Sequence, residues 1–199
     1  GDNLITYSAN KDVLEEASAT NDGTLSAQSG IVTMTAAAAD AAVKSVINMN
    51  GLIDASSFTK SADGGQVILV SKGDLNNSGK TTVDAKETGD AGLVKTWADG
   101  TNNFNKDATI TAKGGSKAGD GGVVDVSGKH FRFQGTVDAT AANGKNGTLI
   151  IDPVNLTIED GAGSGAADTI AEQTIEAQSV AGTDVKILGE QIVFDVITD

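Results

Sequence analysis

Residues 121–139, GGVVDVSGKHFRFQGTVDA, contain the pattern that decides the fold. A glycine pair leads into alternating apolar and polar residues, and a second alternating run follows. The stretch ends on an apolar residue, a polar residue and alanine. Alternation of this kind is typical of short β-strands, because successive side chains point to opposite faces. The stretch therefore predicts a succession of short strands.

The closing triad of an apolar residue, a polar or small residue and alanine recurs along the chain. Its leading residues lie 28, 30, 27, 27 and 38 positions apart. Four of these five intervals are nearly equal, which predicts a repeat of about 28 residues. The copies are Leu25-Ser26-Ala27, Ile53-Asp54-Ala55, Val83-Asp84-Ala85, Ile110-Thr111-Ala112, Val137-Asp138-Ala139 and Ile175-Glu176-Ala177.

A glycine followed by an alternating run also recurs, and the alternation predicts which side chains face inward. Residues expected inward are Val32 and Met34, Val67 and Leu69, Val124 and Val126, and Leu149 and Ile151. Residues expected outward are Thr33, Ile68, Asp125 and Ile150. A third, vaguer strand completes the unit, as at 46–49, 129–133 and 154–158.

Three strands per unit predict an all-β fold, a right-handed parallel β-helix in which each unit forms one turn of a solenoid. We expect residues 1–199 to form a single segment with six recognisable turns, a partial one at 4–7, and unequal turn loops at 56–64, 113–121 and 161–173. Asparagines recur at 48, 50, 76, 77, 102, 103 and 105, and stacked asparagines are expected to form hydrogen-bonded ladders. The alternative, an antiparallel sandwich, would need hairpin turns and no such period.

Composition excludes several classes of partner. The 199 residues carry a net charge of −13 with no basic stretch, so nucleic acid and anionic membranes would be repelled. No apolar run is long enough to insert into a membrane. The chain has no cysteine, and no motif indicates a cofactor.

The chain resembles the filamentous-haemagglutinin-like exoproteins of two-partner secretion. The matching stretches are 40–55, 64–69, 121–129 and 147–158, within a span of roughly 23–195. The most specific is GTLIIDPVNLTI at 147–158, a glycine, a strand, Asp-Pro and a further strand. The resemblance implies export through an outer-membrane pore partner of a Gram-negative bacterium. It also implies a surface filament that serves adhesion or biofilm cohesion or carries a toxin.

Calcium is one candidate ligand, because Asp74, Asn76 and Ser78 match the first half of an EF-hand loop. Position 12 of that loop would be Ala85 rather than glutamate, which makes this a weak surface site. Residues 73–81 also look like a phosphate-binding loop, but Asp74 stands where the motif needs glycine, and a solenoid turn is favoured.

A second candidate is a ligand-binding face formed by Asp54, Asp84 and Asp138, which are expected to share one repeat position with Thr111 interrupting the row. Such a row suits a cation or a sugar, but outward polar rows also keep solenoids soluble. Trp97 and Phe104 suggest a sugar-stacking pair, although packing in the core or a turn is the commoner role of isolated aromatics.

Two further patterns indicate no chemistry. His130, the only histidine, is expected to face solvent and has no partners for a metal cluster. The glycine-rich stretch 161–165 followed by Asp168 occurs once, whereas calcium-binding nonapeptides need tandem copies.

The sequence therefore predicts a structural and adhesive shaft segment with no enzymatic activity. Expected partners are the secretion pore, a host or matrix carbohydrate or protein receptor, and further copies stacked end to end, since both ends, at 1–7 and 191–198, look like unpaired strands. The alternative is a carbohydrate-binding or polysaccharide-cleaving β-helix.

Overall fold

The computed structural model describes residues 4–11, 17–38, 45–57 and 59–195. In chain order the elements are β1 (Leu4–Lys11), β2 (Ala17–Asn21), β3 (Thr24–Ser26), β4 (Ile31–Ala38), β5 (Ser45–Met49), β6 (Leu52–Asp54), β7 (Gln66–Ser71), β8 (Asp74–Asn77), β9 (Lys80–Thr82), β10 (Leu93–Phe104), β11 (Thr109–Thr111), β12 (Val123–Phe133), β13 (Thr136–Asp138), β14 (Thr148–Pro153), β15 (Asn155–Glu159), β16 (Thr169–Ala171), α1 (Glu172–Val180), β17 (Asp184–Ile187) and β18 (Gln191–Phe194).

These strands form a parallel β-solenoid with a repeat near 28 residues, which confirms the predicted fold. Face 1 consists of β1, β4, β7, β10, β12, β14 and β17, paired in that order. Face 2 begins with β2, β5 and β8 and continues into the later part of β10. Face 3 consists of β3, β6, β9, β11 and β13. In the fourth and fifth turns, faces 1 and 2 are joined into the single long strands β10 and β12.

The core is a set of side-chain columns that run along the solenoid axis. On face 1 every residue predicted to point inward is buried, from Val32 and Met34 to Leu149 and Ile151. The residues predicted to point outward, including Thr33 and Ile150, are half-buried. Small and β-branched side chains fill this thin interior in regular layers, because each lies directly above its counterpart one turn earlier.

The glycine that precedes β4, β7, β10, β12 and β14 has a steric cause. Gly65 lies against the backbone of Gly30, and a Cβ added to it would overlap the Gly30 carbonyl oxygen. The same overlap would occur at Gly92, Gly122 and Gly147. The column consists of Gly30, Gly65, Gly92, Gly122 and Gly147.

The last predicted triad, Ile175-Glu176-Ala177, is not a strand but part of helix α1, so this prediction is wrong. Residues 171–180 are rich in Ala, Glu and Gln, which favour helix, and the interval of 38 residues had already departed from the repeat. Within the described residues the solenoid therefore has five complete three-faced turns rather than six.

Helix α1 closes face 3. The backbone N–H of Val137 donates to Gln178 Oε1 at 3.2 Å, and that of Ala139 donates to Thr183 Oγ1 at 3.0 Å. Side chains thus replace the strand that would otherwise pair with the edge of β13. Faces 1 and 2 extend further, through β17 and β18.

An extra strand enters face 2 at the same place. The chain turns outward after β15 and returns as β16, which pairs with β15. The Asp168 N–H donates to the Phe131 carbonyl, and the Thr157 N–H donates to the Asp168 carbonyl, so the returning chain lies between β12 and β15. The predicted loop at 161–173 is thus a loop only at its start.

The predicted loops at 56–64 and 113–121 are confirmed, because their described residues belong to no strand or helix. They are stacked rather than independent: Glu87 bridges Lys60 and Lys117 on the neighbouring turns. Both terminal strands were also predicted, and they are present as β1 and β18. The rest of those two predictions, at 1–3 and 196–198, lies outside the described residues.

Candidate functional site

The predicted aspartate row on face 3 is wrong for Asp84. Register pairs Asp54 with Thr82 and Thr82 with Thr111, and Thr111 with Asp138. Asp84 therefore lies two residues beyond the shared position. The inward column beside this row is Leu25, Ile53, Thr81, Ile110 and Val137, at intervals of 28, 28, 29 and 27 residues.

Asp54 and Asp138 do share a position but lie three turns apart, roughly 14 Å at the usual strand spacing. Paired carboxylates that hydrolyse glycosides lie within about 5–9.5 Å of each other. Asp54 accepts a hydrogen bond from the Ser56 N–H at 3.0 Å. This row therefore does not bring two carboxylates together for glycoside hydrolysis.

The remaining groups of this face hold one another in place. Asp84 accepts hydrogen bonds from the Lys113 N–H at 2.7 Å and from Thr111 Oγ1 at 3.0 Å. Asp138 pairs with Lys113 Nζ at 2.8 Å and accepts from Thr140 Oγ1 at 2.7 Å. Burial raises the pKa of Asp138, but the bonds from Lys113 and Thr140 outweigh it and lower that pKa. The hydrogen bond to Asp138 raises the pKa of Lys113.

The calcium candidates are arranged as ladder residues. Asp74 and Asn76 lie on β8, and Ser78 follows it. Asp74 Oδ1 accepts from the Thr101 N–H at 2.9 Å, and Ser78 Oγ accepts from Asn105 Nδ2 at 2.9 Å. In the part of the chain that the structure describes, no group of three or more acidic, histidine or cysteine residues is arranged to hold a metal. Residues 73–81 include β8 and most of β9. This stretch is therefore part of a solenoid turn, as predicted, and not a phosphate-binding loop.

The predicted asparagine ladder is confirmed for Asn48, Asn76 and Asn103, on the outside of face 2, but the asparagines at 50, 77, 102 and 105 do not join it. Asn76 Nδ2 donates to Asn48 Oδ1, and Asn103 Nδ2 donates to Asn76 Oδ1, both at 3.0 Å. Arg132 extends the row by donating to Asn103 Oδ1 at 3.3 Å. Each bond joins one turn to the next, so the row stabilises the stacking of turns.

A second ladder, made of aspartates, was missed. Asp63 Oδ1 accepts from the Asp90 N–H at 2.9 Å, and Asp90 Oδ1 accepts from the Asp120 N–H at 2.7 Å. Asp120 Oδ1 accepts from the Lys145 N–H at 2.8 Å. The sequence signal was present, because an aspartate stands two residues before each of three glycines of the column, in Asp63-Gly64-Gly65, Asp90-Ala91-Gly92 and Asp120-Gly121-Gly122.

His130 faces solvent as predicted, and its Nδ1 pairs with Asp168 Oδ2 at 2.7 Å. The other carboxylate oxygen of Asp168 accepts from the Phe131 N–H at 3.0 Å. Asp168 has a φ of 61°, a left-handed conformation that aspartate tolerates. The glycine-rich stretch before it includes three glycines with positive φ, and it ends at this anchor.

The two aromatics considered as a sugar-stacking pair lie apart. Phe104 is buried in the core and packs against Phe133, with ring centroids 5.0 Å apart. Trp97 points outward from β10 and is half-buried. Its ring lines a groove of about 450 Å³ together with Asp152, Pro153 and Val154 from the sixth turn, and with 188–190 from the seventh.

A second cavity, of about 400 Å³, lies at the C-terminal end of the solenoid. Its apolar lining comes from both sheet and helix, and Glu172 and Glu176 stand at its edge. It is the open end of the core, between the last strands and α1. The apolar residues are Ile158, Ile175, Ile187, Ile192 and Phe194.

In the described part of the chain, no helix is both long enough and apolar enough to cross a membrane. No protein-family model, no curated protein and no solved structure matches this chain.

Proposed function

We propose that this chain is a shaft segment of a secreted bacterial surface filament, with a structural and adhesive role rather than a catalytic one. The observation that carries the proposal is the continuous register of face 1. Its seven strands pair in parallel from β1 to β17. Each turn adds one strand spacing of roughly 4.8 Å, so the solenoid gains length without changing its cross-section. A projecting fibre needs that property.

The outward polar groups support the same role. Asn76 bonds to asparagines on both neighbouring turns, and the Thr111 and Thr82 hydroxyls are hydrogen-bonded at 3.0 Å. Lys72 pairs with Asp99 one turn further along at 3.0 Å. These side chains bond one turn to the next instead of converging on a common point, which suits a structural surface better than an active site.

Location and partners follow from the resemblance to filamentous-haemagglutinin-like exoproteins and belong to the same proposal. The parent protein would be exported through an outer-membrane pore partner of a Gram-negative bacterium. It would then contact a carbohydrate or protein receptor on a host or in a biofilm matrix.

The strand edges at the two ends of the solenoid need to be covered. Among the described residues, β17 and β18 have unpaired edges at the C-terminal end, and β1 has one at the other end, with Leu4 and Tyr7 exposed. Because open edges template pairing, neighbouring sequence or a second copy would cover them. Negative-stain electron microscopy of the isolated chain distinguishes these: end-to-end stacking gives fibres, whereas uniform monomers count against it.

The rival function is cleavage of polysaccharides, and a direct assay separates the two. Purified chain is incubated with neutral and acidic polysaccharides, and product length is followed by size-exclusion chromatography and mass spectrometry. A shaft leaves every polymer intact. Cleavage that disappears in Asp54→Ala or Asp138→Ala would overturn the proposal.

A further inference from the structure

We propose that the groove beside Trp97 is a binding site for a neutral glycan, with the indole ring as the platform on which one pyranose ring stacks. The site deepens the proposed adhesive function and rests on it for its biological role. It is carried by four observations: the depression itself, the fixed ring, the two carboxylates and the apolar wall.

The depression has a simple origin in the register. Trp97, Ser127 and Asp152 lie on successive turns at one position of face 1. Ser127 is small and buried, and Gly128 follows it. The groove spans this position, with Trp97 and Asp152 in its lining, and its volume of about 450 Å³ falls in the range typical of ligand pockets.

The Trp97 ring is held in position before any ligand binds. Its Nε1–H donates to Asp99 Oδ1 at 2.9 Å, and Lys72 Nζ pairs with Asp99 Oδ2 at 3.0 Å. The indole hydrogen bond lowers the pKa of Asp99 against the opposing effect of burial, and Lys72 lowers it further. Because the N–H is already used, the ring offers its π-face. A fixed platform reduces the entropy lost on binding.

The polar groups of the groove suit hydroxyls. Asp152 and Glu190 line it, and within the described ranges neither has an ion-pair partner. An ionised carboxylate only accepts hydrogen bonds, and its bonds from hydroxyls are strong. The same charges repel a uronate, and the net charge of −13 adds to that repulsion. The ligand is therefore neutral rather than acidic.

The apolar wall distinguishes a sugar from a cation. Trp97 and two carboxylates would also attract an ammonium or guanidinium group. However, Pro153, Val154 and Leu188 form much of the lining, and a strongly hydrated charge loses solvation against such groups. A pyranose presents C–H faces to apolar groups and hydroxyls at its edge, so it matches both halves of the groove.

Trp97 is the only tryptophan in the chain, so its fluorescence reports on the groove directly. The purified chain is titrated with cellotetraose and N-acetylated chitotetraose as neutral probes, tetragalacturonate as the acidic probe and tetralysine as the cationic probe. We expect a saturable change in emission with at least one neutral probe and binding about tenfold weaker with tetragalacturonate.

Variants are compared by calorimetry, which does not need the fluorophore. Trp97→Ala is expected to weaken binding of the neutral probe by about tenfold or more, and Trp97→Phe by about threefold, because phenylalanine keeps a stacking face. Tyr7→Ala removes another exposed aromatic, at the N-terminal end, and should leave affinity unchanged. Circular dichroism verifies that each variant keeps its fold.

Three results would overturn the assignment: no emission change with either neutral probe, an equal loss in Tyr7→Ala, or tetralysine binding more tightly than both sugars. The last would identify a site for cationic peptides. None of these affects the shaft proposal, which fails instead if a bound polysaccharide is cut.

Discussion

A Cβ added to Gly92 would overlap the carbonyl oxygen of Gly65, its counterpart one turn earlier. The two backbones are in contact where each turn enters face 1. The column of five glycines therefore sets how closely successive turns approach.

Gly92→Ala is expected to destabilise the chain by about 3 kcal/mol or more, because backbone atoms of adjacent turns would have to separate. The matched control is Gly23→Ala, since nothing lies within 4 Å of a Cβ there, and a change within about 1 kcal/mol is expected. Urea denaturation followed by circular dichroism measures both. Equal losses at the two glycines would refute the steric argument.

Thr81 tests the inward column of face 3. Its hydroxyl is buried with no hydrogen-bond partner among the described residues, in a column that otherwise holds Leu25, Ile53, Ile110 and Val137. Thr81→Val should therefore stabilise the chain by about 1 kcal/mol, because valine has the same shape and no polar atom to desolvate.

The matched change is Thr111→Val on the outward side, where the Thr111 hydroxyl donates to Asp84 and lies 3.0 Å from the Thr82 hydroxyl. It should cost about 1 kcal/mol. Thermal unfolding of both variants checks the pair, and a loss of stability in Thr81→Val would mean that its hydroxyl has a partner after all.

Asp90 tests the aspartate ladder. Asp90→Ala removes the acceptor for the Asp120 N–H and should cost about 1 kcal/mol. Asp90→Asn keeps an acceptor and removes one of three stacked negative charges, so it should be neutral or stabilising, with a smaller benefit at high salt. Denaturation at low and at high sodium chloride measures both. If Asp90→Asn is as damaging as Asp90→Ala, the charge itself matters to the ladder.

The Lys113–Asp138 pair predicts a pH dependence. The pKa of Asp138 is lowered, so its contribution is present above the unfolded value near 3.9 and is lost as pH falls through the folded value. The pKa of Lys113 is raised, so its contribution is present below about 10.4 and is lost as pH rises through the folded value.

Lys113→Gln should therefore cost about 0.5 kcal/mol between these limits, and the difference from the unaltered chain should shrink beyond them. Lys106→Gln changes an exposed residue in a turn and is the control. Its stability difference from the unaltered chain should be the same at every pH tested. A cost for Lys113→Gln that is constant from pH 3 to pH 11 would show that packing of the lysine stem, not charge, is responsible.

The period and the inward positions of face 1 were predictable because each depends on local alternation. The register of face 3 was not, because backbone pairing rather than side-chain identity sets it. Val83-Asp84-Ala85 copies the triad but follows Thr81-Thr82, which occupies the paired position. Helix α1 could not be separated from a sixth copy by the triad alone, since Ile175 meets the same pattern in either conformation.

For the candidate site, the sequence indicates the individual residue Trp97 but not which residues of other turns lie beside it. Trp97 stands out in the sequence as an isolated aromatic, but its groove depends on Asp152 two turns later and on Leu188 three turns later. Alignment of those positions requires the lengths of all intervening loops. The suggested sugar-stacking pair of Trp97 and Phe104 is wrong, because β10 directs Trp97 outward and Phe104 into the core.

Immunogold electron microscopy of whole cells that make this protein tests the central claim most directly. With an antibody raised against this chain, the proposal predicts label along fibres that project from the outer surface. Label confined to the cell interior, or to soluble secreted protein with no fibre, would contradict it.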